Sequence, residues 1–264
     1  MSGSGEDGGD NMNPYHSANR KGWEAVSDSW QANIEEKGLW RRSAKDPSLI
    51  LAAEELRWLR DVAGRDAAVL GSGDNLIVFA LAGMGARVTS VDISQTQLET
   101  AARRATDLEI DVRFLCADVT DLQELAADSF DVVYTGGHVA VWVSDLKRYY
   151  AEAVRILRPG GLFLVSEYHP FRRPWSADGG RLKMETVYFD RGPFRFDRGP
   201  EAGLKDPLPS YEFNWTVGDM VSALVAAGCE LLALEEFGEG RESWESVDLS
   251  GLPATLLLVG RKRR

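Results

Sequence analysis

Reactive and basic residues are scarce in this chain of 264 residues, which has two cysteines, three histidines, and 30 Lys and Arg against 41 Asp and Glu. Cys116 and Cys229 stand far apart with no paired spacing. That excludes a disulfide framework and a zinc site, and it is the pattern of core thiols in a cytoplasmic protein. No metal is expected. A formal net charge of -11 leaves no basic face to neutralise phosphates, so no nucleic-acid partner is expected and a small, neutral or cationic substrate fits better. Apolar runs long enough to span a bilayer are missing, and the start of the chain is acidic and Gly/Ser-rich where a signal peptide is basic and then apolar. Neither a membrane partner nor export is therefore expected. The basic run Arg261-Lys262-Arg263-Arg264 follows an apolar strand directly and reads as a solvated tail.

With 44% hydrophobic residues, the chain can bury one good core. Residues 1–14 hold few apolar side chains and read as a disordered leader. Residues 15–62 carry Trp23, Trp30 and Trp40 among charges and read as a helical cap lying on the body. From residue 63 onward, apolar runs alternate with helical patterns, which implies parallel strands joined by right-handed crossovers. The expected strands are 67–70, 87–91, 112–115, 130–134, 162–167, 230–236 and 255–260. The expected helices are 75–84, 94–108, 144–157 and 217–227, with a short turn near 121–126. This is an α/β, doubly wound, seven-stranded and mostly parallel sheet with helices on both faces and an antiparallel last strand. Residues 168–215 lack a helical period and are rich in Pro, Gly, Arg and aromatics, which reads as a binding insertion. Residues 237–253 read as an acidic connection at the sheet edge.

The most informative stretch runs from Ala67-Ala68-Val69-Leu70 through Gly71-Ser72-Gly73-Asp74-Asn75 to Val88-Thr89-Ser90-Val91-Asp92. It reads as strand, glycine turn, helix, strand and acidic terminus. Two glycines after a buried strand let backbone approach a ligand, and an acid ending the next strand can accept hydrogen bonds from both ribose hydroxyls. A dinucleotide fingerprint has a third glycine where this chain has Leu76, which disfavours NAD.

Four features recur in the order found in the class I S-adenosylmethionine-dependent methyltransferases, which residues 66–261 resemble. They are Gly71-Ser72-Gly73, the acid Asp92, Cys116-Ala117-Asp118 after the third strand, and Leu157-Arg158-Pro159-Gly160-Gly161 before the fifth. The resemblance implies that the glycine turn lies under the methionine part of the cofactor. It implies likewise that Asp92 binds the ribose and Asp118 meets the adenine amine. The implied cofactor set is Gly71, Ser72, Gly73, Asp74, Asn75, Asp92, Ile93, Gln97, Asp118, Val119 and Thr135. The chain departs from the family at Val69, where an acid is usual, and at Asn75, where a third glycine is usual. Asp74 can substitute as the partner of the cofactor's ammonium group, and both Asp74 and Asp118 are also natural helix or turn caps.

Methyl transfer is an in-line displacement at an already activated carbon, so protein groups supply proximity, alignment and a base. His138 and His169 follow the fourth and fifth strands and face the crevice beyond the strand ends, and with Tyr168 they are the candidate catalytic groups. Either histidine can equally be structural. Arg172 and Trp175 beside His169, and Trp23 and Trp30 seven residues apart on one helical face, are the candidate acceptor-binding groups. Tyr188, Phe189, Tyr211, Phe213 and Trp215 alternate like strand positions, which suits the packing of a small hairpin. The expected function is methyl transfer from S-adenosylmethionine to an oxygen or nitrogen of a small-molecule acceptor. A non-catalytic cofactor-binding or scaffolding protein of the same fold, and an NAD-dependent oxidoreductase, are the alternatives. The oligomeric state is left open, a dimer included.

Overall fold

A computed structural model describes residues 12–73, 76–178, 181–238 and 251–264. The expected leader, Asp74 and Asn75, and most of the acidic connection lie outside the described residues.

Seven strands form one sheet: β1 (Asp66–Leu70), β2 (Arg87–Asp92), β3 (Val112–Cys116), β4 (Phe130–Gly136), β5 (Leu157–Tyr168), β10 (Cys229–Phe237) and β11 (Thr255–Lys262). Their order is β10-β11-β5-β4-β1-β2-β3. β11 runs antiparallel to both β5 and β10, and the pairs among β5, β4, β1, β2 and β3 are parallel. Central strands read as unbroken apolar runs because both of their faces are covered. Within β1, Ala68 and Leu70 join one core cluster, while Ala67 and Val69 join the other. The first cluster packs α6 (Leu146–Ile156) and α7 (Val217–Ala226) through Tyr149, Tyr150, Met220 and Leu224. The second packs α2 (Trp40–Ser43), α3 (Ala53–Leu59) and α4 (Leu76–Gly83) through Trp40, Leu59 and Phe79. α5 (Gln95–Asp107) follows β2, with Ser94 as its N-cap.

Three elements differ in extent from the sequence expectation. The pieces expected at the start merge into one helix, α1 (Pro14–Lys37), with Asn13 accepting the Tyr15 N–H at 3.0 Å and Gly38 closing it in the left-handed conformation. The last part of the expected helical cap, residues 49–62, holds only the short helix α3, because Asp46 caps a separate 3-10 turn at Pro47–Leu49. The turn Arg158-Pro159-Gly160-Gly161 lies inside β5 as a bulge. Phe130 pairs with Leu157 and Val132 with Leu162, and Gly160 has φ +85°.

The insertion folds as two hairpins, β6 (Trp175–Asp178) with β7 (Arg181–Met184), and β8 (Phe194–Arg198) with β9 (Leu208–Glu212). Tyr211 alone of the five alternating aromatics lies in a strand. Tyr188 and Phe189 sit in a turn, and Phe213 and Trp215 follow β9. None of the helices among the described residues is long and apolar enough to cross a membrane.

Candidate active site

The carboxyl ends of the parallel strands open into a cavity of about 1070 Å³. Ligands of open parallel sheets bind beyond these ends. On one side of β4 lie the ends of β1, β2 and β3. Gly71 turns with φ +66°, and a Cβ there would come within 2.5 Å of Val139 Cγ2, so only a bare backbone fits. Asp92 Oδ2 accepts the Gly73 N–H at 2.8 Å and Oδ1 accepts the Ser94 N–H at 2.9 Å. No cation pairs with this buried acid among the described residues, and burial raises its pKa despite those backbone donors. With the Ile93 N–H as a third backbone donor, one of the roughly four acceptor positions of this carboxylate remains, and Asp92 lines the cavity. A bare turn beside an acid with unsatisfied acceptor capacity fits the glycine turn and ribose acid implied by the sequence. Ile93, Gln97, Asp118 and Val119 line the same end.

Asp118 is more heavily engaged. Its Oδ1 accepts the Thr120 N–H and hydroxyl at 2.9 and 2.8 Å, as a cap does, and Oδ2 meets His16 Nδ1 at 2.6 Å. His16 Nε2 accepts the Ser144 N–H at 2.9 Å, so Nδ1 carries the proton and donates to Asp118. Burial alone would raise the Asp118 pKa, but the His16 hydrogen bond, with the Thr120 donors, holds it below the ordinary value.

α1 brings His16 there and then runs across the cavity mouth, a span of about 36 Å for its 24 residues. Asn19 makes a two-way pair with the Tyr211 peptide, donating to its carbonyl and accepting its N–H, both at 2.8 Å. Trp23 packs edge-on against Trp30 and Trp142, under the Arg198 guanidinium at 4.4 Å. Gln31 donates to the Gly73 carbonyl at 3.2 Å and to Gln97 Oε1. Trp23 and Trp30 thus line the cavity, as do Tyr168 and Arg172.

Beyond β4 lie the end of β5 and the first residues of the insertion. His138 has φ +86°, and its Nε2 accepts from Arg173 Nη1 at 2.8 Å. Burial, and then the Arg173 charge, lower its pKa to about 3. His169 Nδ1 accepts the Phe171 N–H at 3.2 Å, so Nε2 bears the proton and donates to Glu236 Oε1 at 2.7 Å. Burial lowers its pKa as well. Both histidines border the cavity, yet in each the lone pair that would take a proton is already bonded.

Glu167 sits between them, 3% exposed, at the end of β5. Its Oε2 accepts the His138 N–H at 2.8 Å and its Oε1 the Ala140 N–H at 3.0 Å.

Three expected contacts point elsewhere. Ser72 turns its hydroxyl to Ser90 at 2.8 Å, and Thr135, near the end of β4, bonds the Leu70 carbonyl and the Tyr149 hydroxyl inside the core. Trp175 lies on β6 against Phe171, outside the cavity lining. The residues that sequence reasoning missed divide by legibility. Glu167 ends an apolar strand as Asp92 does, so its signal was present. His16, Asn19 and Gln31 have partners too remote in sequence to leave one.

A methyltransferase-domain family model matches residues 68–165. A ubiquinone biosynthesis O-methyltransferase of Caulobacter vibrioides is 31% identical over 97 residues, 37% of this chain and 38% of that protein. A demethylmenaquinone methyltransferase of Clavibacter sepedonicus is 34% identical over 131 residues, 50% of this chain and 52% of that protein. The chain thus spans about half or less of the length of these two curated relatives. The crystal structure of an S-adenosylmethionine-dependent methyltransferase from Mesorhizobium loti superposes with a TM-score of 0.59 at 26% identity, covering 80% of this chain and 99% of that one. The strand order and the bare glycine turn beside Asp92 agree with these likenesses: the chain is similar to the class I S-adenosylmethionine-dependent methyltransferases and carries their methyltransferase-domain pattern over residues 68–165.

Proposed function

We propose that this chain transfers the methyl group of S-adenosylmethionine to an oxygen or nitrogen of a small-molecule acceptor. The observation that carries the reading is Asp92, a buried carboxylate held by backbone donors alone and facing the cavity beside Gly71 and Gly73. When bound, the cofactor supplies an electrophilic methyl on a sulfonium. Asp92 would hold the ribose and the Gly71–Gly73 backbone the methionine end, with Ile93, Gln97 and Val119 as walls. Asp118 contributes its one remaining acceptor position to the adenine, with His16 fixing the carboxylate in place. Asp74 and Asn75 stay candidates for the ammonium end.

The acceptor then occupies the side beyond β4. Trp23, Trp30, Trp142 and Tyr168 offer flat apolar faces to a ring, with Arg172 at the edge. His169 orients this wall through its bonds to Phe171 and Glu236, and His138 does so through Arg173. Oxygen is the favoured atom, because the ubiquinone biosynthesis relatives are named for O-methylation.

Calorimetry with S-adenosylmethionine, S-adenosylhomocysteine and NAD tests the cofactor, and turnover of a panel of phenols and amines tests the chemistry. Binding of the first two, no binding of NAD, and methylation of a panel member are expected. NAD binding without S-adenosylmethionine binding would overturn the reading in favour of an oxidoreductase. Cofactor binding with no turnover across the panel would overturn it in favour of a non-catalytic protein.

A further inference from the structure

Methylating a hydroxyl or an amine releases a proton, and the two histidines nearest the acceptor side have no lone pair to receive it. We propose that Glu167 is the proton acceptor of this site, an inference that rests on the methyltransferase reading above.

The sheet order supplies the position. Asp92 ends β2 and Asp118 follows β3, on the far side of β1, whereas Glu167 lies at the end of β5, next to β4 on the acceptor side, and lines the cavity. Of the other carboxylates bordering that side, Glu212 is engaged by Arg173, Glu236 by His169 and Glu55 by the Tyr134 hydroxyl, and Glu54 is half-exposed to water. Glu167 is held differently. Its partners are the backbone N–H groups of residues 138, 139 and 140 in the turn after β4. A carboxylate offers about four acceptor positions. Three are taken, which aims the group firmly and leaves one lone pair for the acceptor's proton.

The step balances. The acceptor's O–H or N–H bond breaks and its proton passes to a Glu167 oxygen. The lone pair on the acceptor atom forms the new bond to the methyl carbon, and the electron pair of the breaking C–S bond stays on sulfur. The products are methylated acceptor, S-adenosylhomocysteine and neutral Glu167, which returns its proton to water.

The electrostatics suit a base. Burial pushes the Glu167 pKa up to about 7, against the lowering effect of the three backbone donors and of Arg173. A base works best with a pKa near the operating pH. The other groups that face it are His138 after β4, Tyr134 on β4, and Tyr149 and Tyr150 on α6. The charge of Glu167 raises the pKa of all three tyrosines, so they stay neutral where it titrates.

Two measurements on the full chain decide the matter. With 13C-carboxyl glutamate labelling and saturating S-adenosylmethionine, the Glu167 resonance, assigned by its loss in Glu167→Gln, should titrate with a midpoint near 7. A midpoint at the ordinary value of 4.5 would overturn the proposal even if no acceptor is known. With catechol as probe acceptor, whose hydroxyls stay protonated across this range, wild-type kcat/KM should rise along a limb centred near 7. Glu167→Gln should lower kcat by about 100-fold or more and abolish that limb, with S-adenosylmethionine affinity retained. A mere clasp for the turn would instead change KM and stability and leave the limb in place, and that outcome also overturns the proposal. Failure of the wild type to bind S-adenosylmethionine counts against the methyltransferase reading itself, whereas binding with an ordinary midpoint counts against Glu167 alone.

Discussion

The two halves of the cavity differ in how far their anchors lie along the chain. At the ends of β1, β2 and β3, each ligand-facing group has an anchor within a few residues, Asp92 on Ser94, Asp118 on Thr120 and Gly71 in its own left-handed turn, and only then remote partners such as His16 on Asp118. At the ends of β4 and β5, groups are fixed by partners from distant segments. Arg173 holds His138 from 35 residues away, and Glu236 holds His169 from 67. The first half therefore presents a standard shape wherever its short motif occurs. The second depends on how an insertion packs, which lets acceptor choice vary without disturbing the cofactor end.

Acid should separate the halves most strongly. His138 has a folded-state pKa of about 3 against an ordinary 6.5, so the unfolded chain takes up the proton first. Its contribution is complete above pH 6.5 and is lost as pH falls towards 3, by at most about 5 kcal/mol at roughly 1.4 kcal/mol per pKa unit. Urea unfolding from pH 7 to 4 should show a smaller acid loss in His138→Asn, whose side chain tolerates the left-handed backbone. Equal losses in both proteins would mean that the acceptor half does not control acid stability. Glu167 acts with the opposite sign, because its raised pKa favours the neutral form and its contribution is lost as pH rises from 4.5 through about 7.

Gly71→Ala probes the local half. A β-carbon 2.5 Å from Val139 Cγ2, on a backbone with φ +66°, should cost about 3 kcal/mol in thermal or urea unfolding and displace the turn. A wild-type melting curve with unchanged S-adenosylmethionine affinity would show that the turn is not a tight cradle.

Asp92→Ala should weaken S-adenosylmethionine by about 1 to 3 kcal/mol in calorimetry, the range for losing hydrogen bonds to a charged group. Unchanged affinity would remove the ribose assignment. Asn19→Ala should destabilise the fold by about 1 to 2 kcal/mol, since it strips both partners from the Tyr211 peptide. Faster S-adenosylmethionine exchange in stopped flow would accompany it if α1 must lift for the cofactor to pass. Exchange at the wild-type rate would show that α1 is part of the fixed wall.

Much of this architecture was legible in the chain itself. Seven apolar runs separated by helical patterns read as a parallel sheet because burial on both faces leaves no alternation. A glycine pair and two acids at strand ends marked the cofactor half because their function depends on backbone conformation and on neighbours two residues away. The identity of the groups at the acceptor half was not legible in the same way. His169 looked like a base from its position, and only folding revealed that Phe171 and Glu236 take both of its nitrogens. The His16–Asp118 bond joins residues 102 apart and the Asn19–Tyr211 pair residues 192 apart. Hydrogen bonds of such separation leave no period or spacing in a sequence. Which nitrogen holds a proton, and which carboxylate keeps a lone pair, is decided by partners that only tertiary packing brings within 3 Å of one another.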